Sequence, residues 1–224
     1  DGSVRTIPAH NIPMAIIGTF ILAFGWFGFN PGSTLAGSDL RISVIAVNTM
    51  LASASGAFIA ALFMKAKTNK WDPGMMANGM LAGLVAITAP CAFVNSLSAV
   101  IIGAIAGLLV IWTALFVEKK LKIDDPVGAF AVHGANVFWG VISLGLFADG
   151  TYGDGWNGVP GTVKGLFYGD WKQFIAELIG GLTCFVFVFV VMYLFFKICS
   201  KTSIGLRSDE ADEIAGLDIP EMGV

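Results

Sequence analysis

The sequence predicts an all-α integral membrane protein with six transmembrane helices. Hydrophobic residues make up 56% of the 224 residues and charged residues only 13%, and the mean hydropathy is +0.78. Soluble domains carry roughly 25% charged residues, so this chain falls well outside their range. The apolar runs are continuous rather than alternating, which favours helices over the strands of a membrane barrel.

Six apolar runs each predict one transmembrane helix. Most of them approach the ~20 residues that a helix needs to cross the hydrocarbon core. The third is shorter and glycine-rich, which predicts close packing or a break. The predicted spans are residues 13–30, 42–64, 74–89, 97–117, 126–147 and 174–198. Residues 1–12 would then form a lead loop, residues 13–198 the six-span region and residues 199–224 an acidic tail.

The distribution of lysine and arginine over the loops predicts the orientation. Ten of the 13 basic residues fall on one side if the spans alternate in direction. Loops rich in lysine and arginine face the cytoplasm, so the lead loop and the C-terminal tail are both predicted to be cytoplasmic. The ten are Arg5, Lys65, Lys67, Lys70, Lys119, Lys120, Lys122, Lys197, Lys201 and Arg207, against Arg41, Lys164 and Lys172 on the other side.

The fifth span carries one ionisable group, His133, inside its apolar run. Counted along a helix from Asp124 it lies roughly 13 Å in, close to mid-membrane. Ionisable side chains at that depth are rare and default to a functional hypothesis. His133 is therefore predicted to line a conduction path as a neutral imidazole, with Asn136 on the same helix face. The alternative is a histidine bonded to a neighbouring helix.

Asp125 is the remaining charged candidate, at the start of the fifth span. Pro126 follows it, and both residues are typical of a helix N-terminus. We expect Asp125 to have a structural role at the cytoplasmic end of the path. The three cysteines lack metal or disulfide spacing, and no nucleophile–base pair lies at useful spacing. We therefore expect no cofactor, no metal and no enzymatic activity.

The second candidate site is the stretch GWFGFNPGS, residues 25–33, at the external end of the first span. Trp26 and Phe29 offer aromatic faces, and Ser33 adds a hydroxyl. A small cation that has lost its water is bound well by an aromatic face and a hydroxyl oxygen. An ordinary aromatic belt at the membrane interface is the alternative interpretation.

Small residues recur at spacings that predict close helix packing. The pairs Gly79/Gly83 and Gly103/Gly107 each have the GxxxG spacing, and residues 52–56 read ASASG. In lipid such patches let two helix backbones approach each other closely. A tightly packed helical bundle is the prediction.

Several stretches in order resemble the ammonium transporter family (Amt/Mep/Rh), and its Amt branch in particular. Six ordered matches along nearly the whole chain are a specific signal, although each alone would be weak. They are AHNIPM at 9–14, GWFGFNPGS at 25–33, VNT at 47–49, the run at 79–90, DDPVGAFAVHG at 124–134 and GLRSDEADEIAGLD at 205–218.

The resemblance implies eleven spans, built as two inverted repeats of five plus a final long helix. The chain resembles spans six to eleven, so the first five spans are expected to be missing from it. In the family two histidines face each other in a hydrophobic pore. His133 matches the histidine of the second repeat, and its partner is expected in the missing half. His10, in the lead loop, cannot replace it.

The other site residues follow from the same resemblance. Phe29 matches a phenylalanine gate above the pore, and Ser33 matches the serine of an external ammonium site, with Trp26 beside it. Asp125 matches an acidic position at the cytoplasmic end of the histidine helix. Gly128 departs from the family, because many members carry a polar or acidic residue there.

The resemblance also implies partners. The tail segment GLR…GLD matches the tail that couples the subunits of a homotrimer and meets a PII-type signalling protein. The lipid bilayer and ammonium or ammonia are the other expected partners, and nucleic acid is not expected. The expected location is the cytoplasmic membrane.

The predicted function is transmembrane transport of ammonium or ammonia. An isolated ammonium ion would pay tens of kcal/mol, by an idealised estimate, to enter a dry apolar pore. Recruitment of the ion outside, loss of a proton and passage of neutral ammonia past His133 would avoid that cost, and the imidazole could relay the proton. Two alternatives stay open: a sensor that binds ammonium without appreciable flux, and an Rh-type channel for ammonia or carbon dioxide.

Overall fold

The computed structural model describes residue 4 and residues 9–152, 160–202 and 205–223. Within these residues the regular structure is helical, apart from one isolated bridge between Asp149 and Lys164. The described part of the chain contains seven α-helices: α1 Ile12–Phe29, α2 Arg41–Thr68, α3 Pro73–Thr88, α4 Ser96–Phe116, α5 Asn136–Phe147, α6 Trp171–Cys199 and α7 Glu210–Ala215.

Short irregular helices extend this framework. A 3₁₀ turn, Pro31–Thr34, follows α1, and a second one, Leu166–Tyr168, precedes α6. Three π-helical segments continue α4, precede α5 and follow α7. They are Val117–Leu121, Phe130–Ala135 and Asp218–Met222.

The predicted all-α membrane fold is confirmed. Among the described residues, five helical stretches are long and apolar enough to cross a membrane, and α3 is a shorter apolar helix of 16 residues. The five are Ile12–Thr34, Arg41–Thr68, Ser96–Leu121, Phe130–Phe147 and Trp171–Cys199. Continuous apolar composition located all six helices along the chain, including the short third one.

The fifth span starts later than the sequence predicts, while α2 runs on to Thr68 and α6 begins earlier, at Trp171. Residues 126–128 are not helical, and the first helical residue is Ala129. Gly128 donates its backbone N–H to the carbonyl oxygen of Asp125 at 3.0 Å, which closes a turn with Pro126 in its second position. Proline suits that position of a turn as well as it suits a helix start, and here the turn forms. Gly128 ends it with φ +71°, a conformation that glycine adopts without strain.

The core of the bundle is the packing of α2 between α3 and α4. A Cβ at Gly83 or at Gly103 would overlap the backbone carbonyl oxygen of Ala52. A Cβ at Gly107 would likewise meet the carbonyl of Gly56. The predicted close packing of the small-residue patches is therefore confirmed, because backbone meets backbone where only glycine fits.

A buried asparagine ties α2 to the connection between α3 and α4. Asn48 is completely buried, and its Nδ2 donates to the carbonyl oxygens of Cys91 and Val94 at 2.9 and 2.7 Å. These carbonyls lie outside any helix and would otherwise lack a partner inside the bundle. Burial raises the pKa of the Cys91 thiol to about 12.

The chain divides into two compact units, residues 1–179 and residues 180–224. The first contains α1 to α5 and the beginning of α6. The second contains the rest of α6 and the tail, where Arg207 donates from Nε and Nη2 to both carboxylate oxygens of Glu213 at 2.8 and 2.7 Å. The hydrogen bonds and charge of Arg207 lower the pKa of Glu213.

Candidate functional site

His133 lies in the π turn Phe130–Ala135 that precedes α5. A π turn bonds residue i to residue i+5 and is wider than an α-helical turn; such turns are rare and are frequent at functional sites. The turn joins α5 directly, so Phe130–Phe147 forms one continuous helical span of 18 residues. The only span with an internal histidine therefore carries it on an irregular turn.

Asp125 starts this span from outside the helix. Its Oδ1 accepts the backbone N–H of Ala129 at 2.7 Å, and its Oδ2 accepts that of Phe130 at 3.0 Å. The first N–H groups of a helix have no partner within the helix, and a carboxylate also suits the positive end of the helix dipole. Asp125 thus fixes where the histidine-bearing span begins.

The depth of His133 follows from two contacts of this span with α3. At its start, a Cβ on Gly128 would lie 3.1 Å from Nδ2 of Asn78. Further along, a Cβ on Gly140 would lie 2.6 Å from the carbonyl oxygen of Ala86. His133 lies between these two levels, opposite the middle of α3. The sequence-based distance of His133 along the helix was counted from Asp124. That starting point was wrong, since only residues from Ala129 onward are helical.

The face of the span that carries His133 is open in this chain. His133 is exposed, and so are Phe130 and Val137, which are 45% and 46% accessible. The opposite face is closed, because Ala131 and Val132 are buried against the bundle. Within the part of the chain that the structure describes, the imidazole makes no hydrogen bond. The site residue is thus a single polar group on an apolar, uncovered surface.

Asn136 occupies a different environment from His133. It is completely buried, and its Nδ2 donates to the carbonyl oxygen of Ala131 at 2.8 Å. Its Oδ1 has no hydrogen-bond partner among the described residues. The sequence assigned both residues to one helix face, whereas the structure turns His133 outward and Asn136 inward.

The C-terminal end of α1 holds the second group of predicted site residues. The indole Nε1 of Trp26 donates to Oγ1 of Thr88 at 2.9 Å, which joins the end of α1 to the end of α3. The rings of Trp26 and Phe29 meet edge to face, with centroids 6.1 Å apart. Phe29 is itself 57% exposed. One ring is therefore fixed by α3, and the other is open.

Ser33 lies in the 3₁₀ turn that follows α1. It is exposed, and its hydroxyl donates to the carbonyl oxygen of Phe29 at 2.6 Å. Since the hydroxyl hydrogen is used in this way, the oxygen keeps its lone pairs for a donor from outside. Trp26, Phe29 and Ser33 thus form one group, at the opposite end of α3 from Asp125.

Asn30 and Thr49 were not predicted as site residues, yet they support this group. Asn30 is buried, and its Nδ2 donates to Oγ1 of Thr49 on α2 at 3.1 Å. This bond holds the start of the 3₁₀ turn against the core. Both residues belong to matched motifs, GWFGFNPGS and VNT, but a bond between residues 19 positions apart has no signal in the sequence.

The sequence of the chain matches the model of the Ammonium Transporter Family over residues 2–224. Ammonium transporter Amt2 of Archaeoglobus fulgidus is 49% identical over 99% of this chain and 47% of its own length. Among solved structures, a Sensor Amt Protein is 39% identical with a TM-score of 0.87, over 99% of this chain and 52% of that one. Mep2 of Candida albicans is 30% identical with a TM-score of 0.83, over 94% and 46%.

The chain spans about half the length of these relatives, and the match includes both groups of site residues described above. Its helical architecture agrees with theirs at TM-scores above 0.8. The chain belongs to the Ammonium Transporter Family, as a member that is all-helical and embedded in the membrane.

Proposed function

We propose that the protein containing this chain transports ammonium or ammonia across a membrane. One observation carries the proposal: His133 stands alone on an exposed apolar face of a membrane span, opposite the middle of α3. A polar group at that depth is unfavourable unless it faces a partner or a path. A path lined by Phe130, Val137 and one imidazole would suit a small neutral molecule that forms hydrogen bonds.

The open face of His133 requires a cover inside the membrane. The rest of the transporter is our proposed cover, because relatives such as Amt2 of Archaeoglobus fulgidus are about twice as long as this chain. The cover would supply the second histidine and close the path on its remaining side. The pore would then lie between the two halves, with His133 as this half's contribution.

Recruitment would take place at Trp26, Phe29 and Ser33. Ser33 can accept an N–H from ammonium, since its own hydrogen is bound to the Phe29 carbonyl. Trp26 presents a ring held in place by Thr88, and an aromatic face near a desolvated cation contributes about 0.5–2 kcal/mol. A site of this kind favours the cation at the mouth without admitting it to the apolar path.

Transport past His133 would use the neutral form. Ammonium gives one proton to solvent water at the mouth, the electron pair of that N–H bond stays on nitrogen, and ammonia enters the path. The neutral imidazole offers one donor and one acceptor, so it can hydrogen-bond ammonia. It can also take a proton on one ring nitrogen and release another from the second, which would let net charge cross.

Orientation and assembly are part of the same proposal. Both ends of the chain would face the cytoplasm, as the excess of basic residues beside the inner ends of α2 and α4 favours. The protein would assemble as a homotrimer in the cytoplasmic membrane. The acidic tail with α7 would meet a PII-type signalling protein there.

Transport assays on reconstituted full-length protein test the proposal. Proteoliposomes should take up ammonium, and His133→Ala should abolish or alter the flux. His10→Ala is the matched control, because His10 is exposed ahead of α1 and should leave the flux unchanged. Unchanged flux and selectivity in the His133→Ala protein would remove the histidine from the mechanism.

A sensor is the second candidate. The Sensor Amt Protein among the solved structures is 39% identical to this chain, which is more than the 30% of Mep2. A sensor would bind ammonium at Trp26, Phe29 and Ser33 without appreciable flux. Calorimetric binding of ammonium to the full-length protein, together with no uptake by the same protein in liposomes, would favour it over transport.

A further inference from the structure

We propose that Asn136 is a positioning residue that holds the π turn and thereby sets the direction in which His133 faces. The evidence is the pairing of one buried amide with one irregular turn. The effect of Asn136 on transport rests on the proposed function. Its effect on the direction in which residue 133 faces does not.

The geometry of the pairing follows the spacing of the turn. Nδ2 of Asn136 donates to the carbonyl oxygen of Ala131, five residues back, at 2.8 Å. Five residues is the spacing that defines a π turn, in contrast to the four of an α-helix. The side chain of Asn136 therefore donates to a carbonyl oxygen within the wide turn, across the same spacing as the turn itself.

Loss of this bond would favour return to a regular α-helix. Each residue of an α-helix advances by roughly 100°, so removal of the one-residue excess of a π turn rotates one side against the other by about that angle. A rotation of this size would carry His133 off the exposed face. It would also bring Ala131 or Val132, now buried, toward the surface.

Contacts with α3 and α4 hold α5 on the C-terminal side of the turn, so we expect the change to fall on the turn that carries His133. A Cβ added at Gly140 would lie only 2.6 Å from the carbonyl oxygen of Ala86. Trp139 donates its indole N–H to the carbonyl of Ile102 on α4 at 3.1 Å. These contacts with α3 and α4 fix α5, while Phe130 and His133 on the turn are exposed.

Because one oxygen of Asn136 is unpaired, a substitution at this residue can test the positioning role without lowering the stability of the fold. Its Oδ1 is buried without a partner among the described residues, and such a group destabilises a fold. Leucine has a similar shape and no polar atom. Asn136→Leu should therefore leave the melting temperature unchanged or higher, while it removes the donor to Ala131.

Thiol labelling of the full-length protein tests the direction of residue 133 without any transport. His133→Cys is placed in a background with Cys184→Ser and Cys199→Ser; Cys91 is buried, with a raised pKa, and should react slowly. We expect Asn136→Leu to change the rate of N-ethylmaleimide labelling several-fold with no loss of melting temperature. An unchanged rate would overturn the proposal.

Ser143→Ala is the matched control on the same helix. Ser143 is also completely buried and donates to a backbone carbonyl, that of Gly140, at 2.8 Å. It lies beyond the turn, so its substitution should not change the labelling rate. Equal changes from Asn136→Leu and Ser143→Ala would overturn the proposal, because they would reflect general loosening of the helix.

Transport completes the test. With His133 in place, Asn136→Leu should lower the maximal ammonium flux several-fold at an unchanged melting temperature. Flux equal to that of the unsubstituted protein, despite altered labelling, would overturn the link to transport. Should the unsubstituted protein show no flux, the proposed function fails, while the labelling rates still decide the role of Asn136.

Discussion

The core helices α2, α3 and α4 differ in packing from the two helical elements that carry the site residues. Both regions consist mainly of apolar residues. In the core, backbone meets backbone at Gly83 and Gly103. On α1 only Thr19 and Ala23 are buried, and the His133 face is open. The core helices bury their surfaces against one another. The site elements pack against the core on one face, and their functional groups lie on the opposite, exposed face.

This difference predicts where substitutions disrupt the fold and where they disrupt only the site. In the core, a Cβ added at Gly83, Gly103 or Gly107 would overlap backbone atoms of α2. At the site, added or removed atoms change what an incoming group or a second half of the protein would meet. Stability and transport should therefore separate along the boundary between the two regions.

The largest effect is expected from Gly103→Leu in the core. Its Cβ alone would overlap the Ala52 carbonyl, so α2 and α4 would have to move apart. Overpacking of a core typically costs about 1–3 kcal/mol and occasionally more, and we expect the upper end here because the obstacle is backbone. Thermal unfolding of the full-length protein in detergent, followed by size exclusion, measures the loss.

Gly18→Leu on α1 is the control for that substitution. Apart from the backbone of its own helix turn, no described heavy atom lies within 4 Å of a Cβ at this position. Leucine is also a better helix former than glycine, so the melting temperature should be equal or higher. An equal fall in melting temperature for the two variants would contradict the proposed difference in packing between the core helices and the site elements.

A smaller effect is expected from Asn48→Ala. The substitution removes the donor to the carbonyls of Cys91 and Val94 and leaves both without that partner. A buried polar group left unpaired costs about 1–3 kcal/mol, so we expect a loss of roughly 2 kcal/mol in unfolding free energy. Denaturation of the purified full-length protein measures it.

Thr19→Ala provides the comparison on α1. Thr19 is buried too, but its hydroxyl donates to the carbonyl of Ala15 within its own helix at 2.9 Å. That carbonyl keeps its helical partner when the hydroxyl is lost, so the loss in unfolding free energy should be much smaller. A loss as large as that of Asn48→Ala would mean that burial, rather than tertiary hydrogen bonding, governs both sites.

Much of the fold could be predicted from the sequence because its determinants are local. Continuous apolar runs located the helices, and the spacing of Gly79, Gly83, Gly103 and Gly107 predicted the closest contacts. The start of the fifth span could not be located in this way. Pro126 is compatible with a helix start and with a turn, and the contact of Gly128 with Asn78 belongs to the folded bundle.

The residue types of the candidate site could be selected from the sequence and remain a prediction, whereas their geometry could not be derived from it. A lone histidine in an apolar run indicates a functional residue whatever the tertiary structure. The π turn, by contrast, has no characteristic amino-acid composition. The opposite directions of His133 and Asn136 therefore could not be predicted from α-helical periodicity. The bonds from Trp26 to Thr88 and from Asn30 to Thr49 join distant parts of the chain, and no local pattern encodes them.

The smallest effect is expected where the two regions meet, at Trp26→Phe. The substitution keeps an aromatic ring but removes the N–H that bonds Thr88, and Thr88 still donates its own hydroxyl to Leu84 at 2.8 Å. A single hydrogen bond contributes about 0.5–1.5 kcal/mol, so the melting temperature should fall only slightly. The ring would no longer be held by α3, and the concentration of ammonium at half-maximal flux should rise with little change in maximal flux.

Trp112→Phe is the control, since Trp112 is 57% exposed and its indole donates no hydrogen bond within the described residues. It should leave both quantities unchanged. A fall in maximal flux from Trp26→Phe, at an unchanged half-saturating concentration, would show that this bond supports the path rather than the mouth. Trp26, together with Thr88, would then belong to the core rather than to the site.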